Sequence, residues 1–163
     1  MKIVLNTIQK IFMIAILIFA LILSGCKKDK PPDIEVIDVR NYYFENQYMD
    51  RIDFINKEYW IAGPIQSSLS EVEYTFVCDL EDNKITDFLH AVHEYGFLSW
   101  EEEYLPEGII YDGHRWGIVI HFSDSTEKSI YGDNRYPETW DEMSMAFEDL
   151  SGSIVFGVSR SRE

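Results

Sequence analysis

Apolar and polar positions follow three rhythms along this chain. The first is an unbroken run of thirteen apolar residues, Ile11 to Leu23. A bilayer-spanning helix needs roughly 20 apolar residues. The run is too short for a span, and Gln9 and Asn6 prevent its extension backwards. The second rhythm is strand-like. Ile34, Val36, Ile37, Val39, Tyr42 and Phe44 mix with polar residues and predict a strand, with Asn46 to Asp50 as a turn. Ile52, Phe54, Ile55 and then Tyr59-Trp60-Ile61 predict further strands, broken by Ala62-Gly63-Pro64. From Glu71 to Cys78 the residues Val72, Tyr74, Phe76 and Cys78 alternate with Glu71, Glu73 and Thr75, Val77 being the exception. That stretch reads as a half-buried strand. Trp116, Ile118, Ile120 and Phe122 alternate in the same way, Ser123-Asp124-Ser125 turns the chain, and Glu127 to Tyr131 returns as a hairpin.

The third rhythm is helical. Ile85, Phe88, Leu89 and Val92 stand at i, i+3, i+4 and i+7, with Asp82 or Asn83 as the expected cap and Gly96 as the stop. A second helix is expected from near Pro137. Trp140, Met143, Phe147 and Leu150 form its apolar face, and Gly152 ends it. Thr139 and Glu142 have capping-box spacing. Between the helices, Phe97 to Tyr104 is expected to be extended, and Pro106 and Gly108 mark a loop to Asp112-Gly113. Ile154 to Val158 predicts a short last strand. The expected fold class is therefore α+β: a largely antiparallel sheet with two helices packed on one face. One globular domain is expected over residues 34–159, with a frayed tail at 160–163.

The head of the chain carries a different message. Lys2 and Lys10 precede the apolar run, and Leu23-Ser24-Gly25-Cys26 closes it. A basic start, a short apolar core and small residues before a cut define a secretory signal. The L-S-G-C sequence resembles the lipobox of bacterial lipoproteins. That resemblance implies a signal peptide over residues 1–25 and attachment of lipid acyl chains such as palmitate at Cys26. It also implies a place on the extracytoplasmic face of the cell membrane. Residues 26–33 are then lipidated cysteine and tether. The tether's reach is roughly 20–25 Å when extended, and Pro31-Pro32 stiffen it.

Charge narrows the partners. The chain of 163 residues has a formal net charge of −15. The first 25 residues hold two lysines and no acidic residue, so residues 26–163 are more acidic still. Such a surface repels nucleic acid, which excludes a nucleic-acid partner. Lys27, Lys28 and Lys30 are a local exception, suited to lipid headgroups. With Cys26 lipidated, Cys78 is a lone thiol among Asp79, Glu81 and Asp82, a setting that opposes thiolate chemistry.

A second resemblance lies in the C-terminal part. Asp112-Gly113-His114-Arg115-Trp116, the alternating strand, then Gly132-Asp133-Asn134-Arg135-Tyr136-Pro137 and Trp140 are similar to a pattern in small bacterial lipoproteins of unknown function. It implies the fold and carries no activity with it. The residues themselves read first as scaffold. Gly113 and Gly132 would supply positive φ, Asn134 would bond its own loop, and Trp116 would pack on Trp140. The other reading makes Trp116, Asn134, Tyr136 and Trp140 a binding surface.

No constellation points to a catalytic residue, a cofactor or a metal. His90 and His93 are three apart beside Glu94, but H-E-x-x-H or H-x-x-E-H order is lacking. Glu101-Glu102-Glu103 lacks an oxygen-rich calcium loop. Ten Tyr, ten Phe and four Trp exceed a minimal core and would suit a protein or glycan partner if exposed. The expectation is a membrane-anchored, non-enzymatic domain that binds a protein or envelope component. The alternatives are a small carboxylate-based envelope hydrolase, or an inhibitor or immunity-like lipoprotein acting through its acidic face.

Overall fold

The computed structural model describes residues 33–43, 46–65, 72–108, 113–153 and 155–156. The expected signal peptide, Cys26 and most of the expected tether lie outside the described residues. Seven strands form one sheet: β1 (Ile34–Tyr43), β2 (Asn46–Asp53), β3 (Glu58–Ile65), β4 (Thr75–Asp79), β5 (Glu103–Tyr104), β6 (Arg115–Phe122) and β7 (Glu127–Asp133). Two helices accompany them, α1 (Asp82–Glu94) and α2 (Trp140–Ser151). The order across the sheet is β4-β3-β2-β1-β6-β7-β5, and every pairing is antiparallel except β5 with β7. The fold is α+β. A four-stranded meander ending in α1 is joined to the β6–β7 hairpin through β1, and α2 follows that hairpin.

Register explains the core. Ile37 faces Ile52 on one side and Ile120 on the other, and Val39 stands beside Ile118. These alternate strand residues share one cluster with Phe88 and Val92 of α1 and Met143, Phe147 and Leu150 of α2. Rings then connect the helices: Phe54 stacks on Phe88, Phe88 meets Phe147 edge-on at 4.7 Å, and Phe147 meets Phe156. Each such side chain contributes roughly 1.5–3 kcal/mol by burial.

Several expectations are corrected. Asn46 to Asp50 is strand, not turn, paired from Tyr43 opposite Asn46 onward. Its polar residues are held by partners from other strands, which a local reading cannot see. The Ala62-Gly63-Pro64 run does not end β3, which continues to Ile65. The 71–78 stretch is strand only from Thr75, at the sheet edge, where Phe76 is 45% and Val77 39% exposed. Cys78 pairs with Tyr59 and Phe76 with Trp60, so Val77 is an extra residue that shifts the phase. Cys78 therefore turns toward α2, its Sγ 3.8 Å from the Ser151 carbonyl, while Phe76 packs on Trp60.

Neither helix start uses the expected cap. Glu81 precedes α1 without a side-chain cap, and Asp82 accepts from Lys57 instead. Thr139 precedes α2, but its hydroxyl donates to the Tyr95 carbonyl and accepts from the Trp100 indole. The hydroxyl ties α2 to the segment after α1. That segment is not wholly extended: Phe97–Ser99 forms a 3-10 turn after Gly96, whose φ is 62°. Val155 and Phe156 are buried in the core but form no strand.

Candidate functional site

The four residues singled out as a possible binding surface fall together around one buried joint. Trp116 and Trp140 are each 1% exposed, with ring centroids 4.5 Å apart. Neither indole offers a face to solvent. Trp116 donates its Nε1–H to the Arg135 carbonyl. Tyr136, half-buried, packs at a tilt against Trp140 with ring centroids 4.9 Å apart. Asn134, at φ 51°, accepts from the His114 N–H and donates to Asp133.

The two glycines serve closeness rather than positive φ. A Cβ on Gly132 would lie 2.4 Å from the Trp116 indole, and one on Gly113 would lie 1.8 Å from the Asn134 amide. Neither glycine has a positive φ. Gly113 to Trp116 and Gly132 to Pro137 are thus two halves of one interlock.

A polar network crosses this joint. His114 lies between the Tyr136 hydroxyl at Nδ1, 3.2 Å, and the Asn41 carbonyl oxygen at Nε2, 3.0 Å. Asn41 donates its amide to the Val155 carbonyl at 2.7 Å, which fixes its orientation. Nε2 therefore carries the ring proton, and Nδ1 accepts from Tyr136. Burial holds the His114 pKa below the ordinary imidazole value. The unfolded chain then takes up this proton first, so His114 makes stability fall as pH drops below about 6.5.

Two further groups were not visible in the sequence. Asp50 is 8% exposed and accepts from the Tyr59 hydroxyl at 2.5 Å; burial pushes its pKa up to about 6. Asp38 is bound bidentately by Arg51 at 2.7 and 2.9 Å. His121 places Nε2 3.2 Å from Asp38 and Nδ1 2.9 Å from Glu127. Arg51 also lies over the Tyr74 ring at 4.7 Å. Burial alone would raise the Asp38 pKa, but Arg51 and His121 outweigh it and hold the carboxyl below its usual range. These partners satisfy one another. The cluster is an Asp38–Arg51 ion pair extended by the hydrogen bonds of His121 across β1, β2, β6 and β7.

An open groove lies between the helices, about 560 Å³ in volume. One wall is a single stripe of α1 and its end: Lys84, Asp87, Phe88, Ala91 and Tyr95. The other is a single stripe of α2: Glu142, Met145, Ala146, Asp149 and Leu150. The spacing of i, i+3, i+4 and i+7 puts each set on one helix face. Ala91 and Ala146 occupy positions where larger apolar residues would fill the gap. Asp87, Glu142 and Asp149 give the groove three carboxylates against one lysine. Oε2 of Glu142 is buried and has no hydrogen-bond partner among the described residues. His90, His93 and Glu94 stand exposed on α1, outside this stripe.

The groove was missed because its signal is weak. Ala91 falls three residues after Phe88, and Ala146 three after Met143, so each continues an apolar stripe with too small a side chain. Comparison of the chain with protein-family models, curated proteins and solved structures finds no match.

Proposed function

We propose that this chain is a lipoprotein anchored through Cys26 on the extracytoplasmic face of a cell membrane, and that its domain binds a protein partner through the groove between α1 and α2. The groove is the observation that carries the reading. It combines an apolar floor with unmatched negative charge, whereas the domain's aromatic residues are spent largely on internal packing. The anchor reading rests on Leu23-Ser24-Gly25-Cys26. In this arrangement both helices cover the same sheet face. Support comes from Ile37, Val39, Ile52, Ile118 and Ile120, which share a cluster with both helices. The intervening Asp38, Arg51 and His121 bond to one another instead.

A photo-cross-linking residue at Ala146 of the full anchored chain tests this. It is expected to capture a discrete protein adduct in the native envelope, while the same group at exposed Ser129 on β7 does not. No adduct at Ala146, or the same adducts at both positions, would contradict the proposal.

A carboxylate-based hydrolase is the second reading, favoured by Asp87, Glu142 and Asp149 lining one groove. Hydrolysis by paired carboxyls needs an acid shielded from water. Glu142 has a buried oxygen, but Asp87 and Asp149 are solvent-exposed, so the three form no shielded pair, which favours attraction of a cation over proton transfer.

A further inference from the structure

The occupant of the groove can be specified by chemistry, given the reading that the groove is the binding surface. Its lining follows the two helices lengthwise, from Lys84 to Tyr95 on one side and from Glu142 to Leu150 on the other. Phe88, Ala91 and Tyr95 run along one wall, and Met145, Ala146 and Leu150 along the other. Two helices packed side by side present a furrow into which a third helix fits by ridges and grooves. Met145, 45% exposed, and the two alanines leave apolar surface and depth for inserted side chains. Above this floor stand Asp87 and Asp149, one on each helix, with Glu142. Lys84 is the lone cation in the lining, and it lies 3.9 Å from Glu81. An occupant would therefore meet negative charge on both sides, from Asp87 on one helix and from Glu142 and Asp149 on the other. The chain as a whole, at −15, would draw a cation in from a distance.

We infer that the groove receives a basic amphipathic helix of a partner protein. Its apolar stripe lies between Ala91 and Ala146, and its lysine or arginine side chains reach Asp87, Glu142 and Asp149. This is the helix-in-groove mode of recognition. A purely apolar helix would leave Asp87 and Asp149 unmatched, and an acidic one would be repelled.

The test uses a fluorescent lysine-leucine amphipathic peptide of about 16 residues, roughly 24 Å long as a helix. Anisotropy is measured against the full chain in detergent. Binding is expected to weaken as salt rises toward about 0.5 M. The Asp87→Lys/Asp149→Lys pair is expected to weaken binding by at least about tenfold. Glu101→Lys/Glu102→Lys, which changes net charge equally at exposed positions away from the groove, is expected to change it by less than about threefold. Ala91→Leu/Ala146→Leu fills the furrow without altering charge and is expected to abolish binding.

Equal losses in the two charge-reversal pairs would mean attraction to net charge alone and would overturn the inference. So would equal binding of a glutamate-leucine peptide, or full displacement of the basic peptide by an equal concentration of spermidine. An adduct at Ala146 in the envelope, with no binding of the basic helix, would sink this inference and leave the groove reading standing.

Discussion

Replacing Gly132 with alanine is expected to lower stability by about 3 kcal/mol, as forced insertion into a packed core does. The added methyl would stand 2.4 Å from the Trp116 indole. Trp116 cannot retreat. It is closed in by Tyr104 at 5.8 Å, Tyr136 at 6.3 Å and Trp140 at 4.5 Å, and its Nε1–H is committed to Arg135. The melting temperature should fall by roughly 10 °C for a domain of this size. Gly117→Ala is the internal control. It lies on β6 one residue from Trp116, and a methyl there would meet only the Ile130 carbonyl at 3.8 Å. That variant should stay within about 0.5 kcal/mol of the parent. Thermal unfolding of both variants decides the matter. Equal effects at the two positions would mean that Gly132 is not kept for closeness to Trp116.

Asp50→Asn is expected to act in the opposite direction. The fold raises the Asp50 pKa to about 6 because it buries the carboxyl, with Tyr59 its one hydrogen-bond donor among the described residues. Between about pH 4 and pH 6 the native chain holds this proton while the unfolded chain has lost it. Stability contributed at Asp50 is therefore present below pH 4 and lost as pH rises through 6. At about 1.4 kcal/mol per unit the ionised form costs roughly 3 kcal/mol at pH 8. Asparagine keeps an oxygen for the Tyr59 hydroxyl and carries no charge. Urea unfolding should show the variant more stable by about 1–3 kcal/mol at pH 8, with the difference shrinking toward zero at pH 4. His114 is common to both proteins and cancels. A variant less stable than the parent at pH 8 would mean that the Asp50 carboxylate is supported by its surroundings rather than penalised.

The elements with a strong period were legible in the sequence. Ile85, Phe88, Leu89 and Val92 placed α1, although Leu89 is 43% exposed rather than part of the core; Trp140 to Leu150 placed α2, and the β6–β7 hairpin followed from the alternation after Trp116. Illegible features depended on partners distant in sequence. Asp50 reads as a turn residue until Tyr59 is brought beside it. Asp38 is separated in sequence by 83 positions from His121, and Asn41 by 73 from His114. Thr139 has the spacing of a cap, but Tyr95 and Trp100 claim its hydroxyl. At Gly132 the sequence shows that a glycine is present, while only the position of Trp116 shows why. The groove is the furthest from view, because it is made by what Ala91 and Ala146 lack.

Binding by an envelope domain presupposes that Cys26 is processed, so the mass of the mature chain is the most direct test of an anchored role. The protein purified from the membrane fraction is expected to begin at Cys26 and to carry the added mass of diacylglycerol. Palmitate label should be incorporated by the parent and lost in Cys26→Ala. A chain that retains Met1, or one that starts elsewhere and bears no lipid, would contradict it.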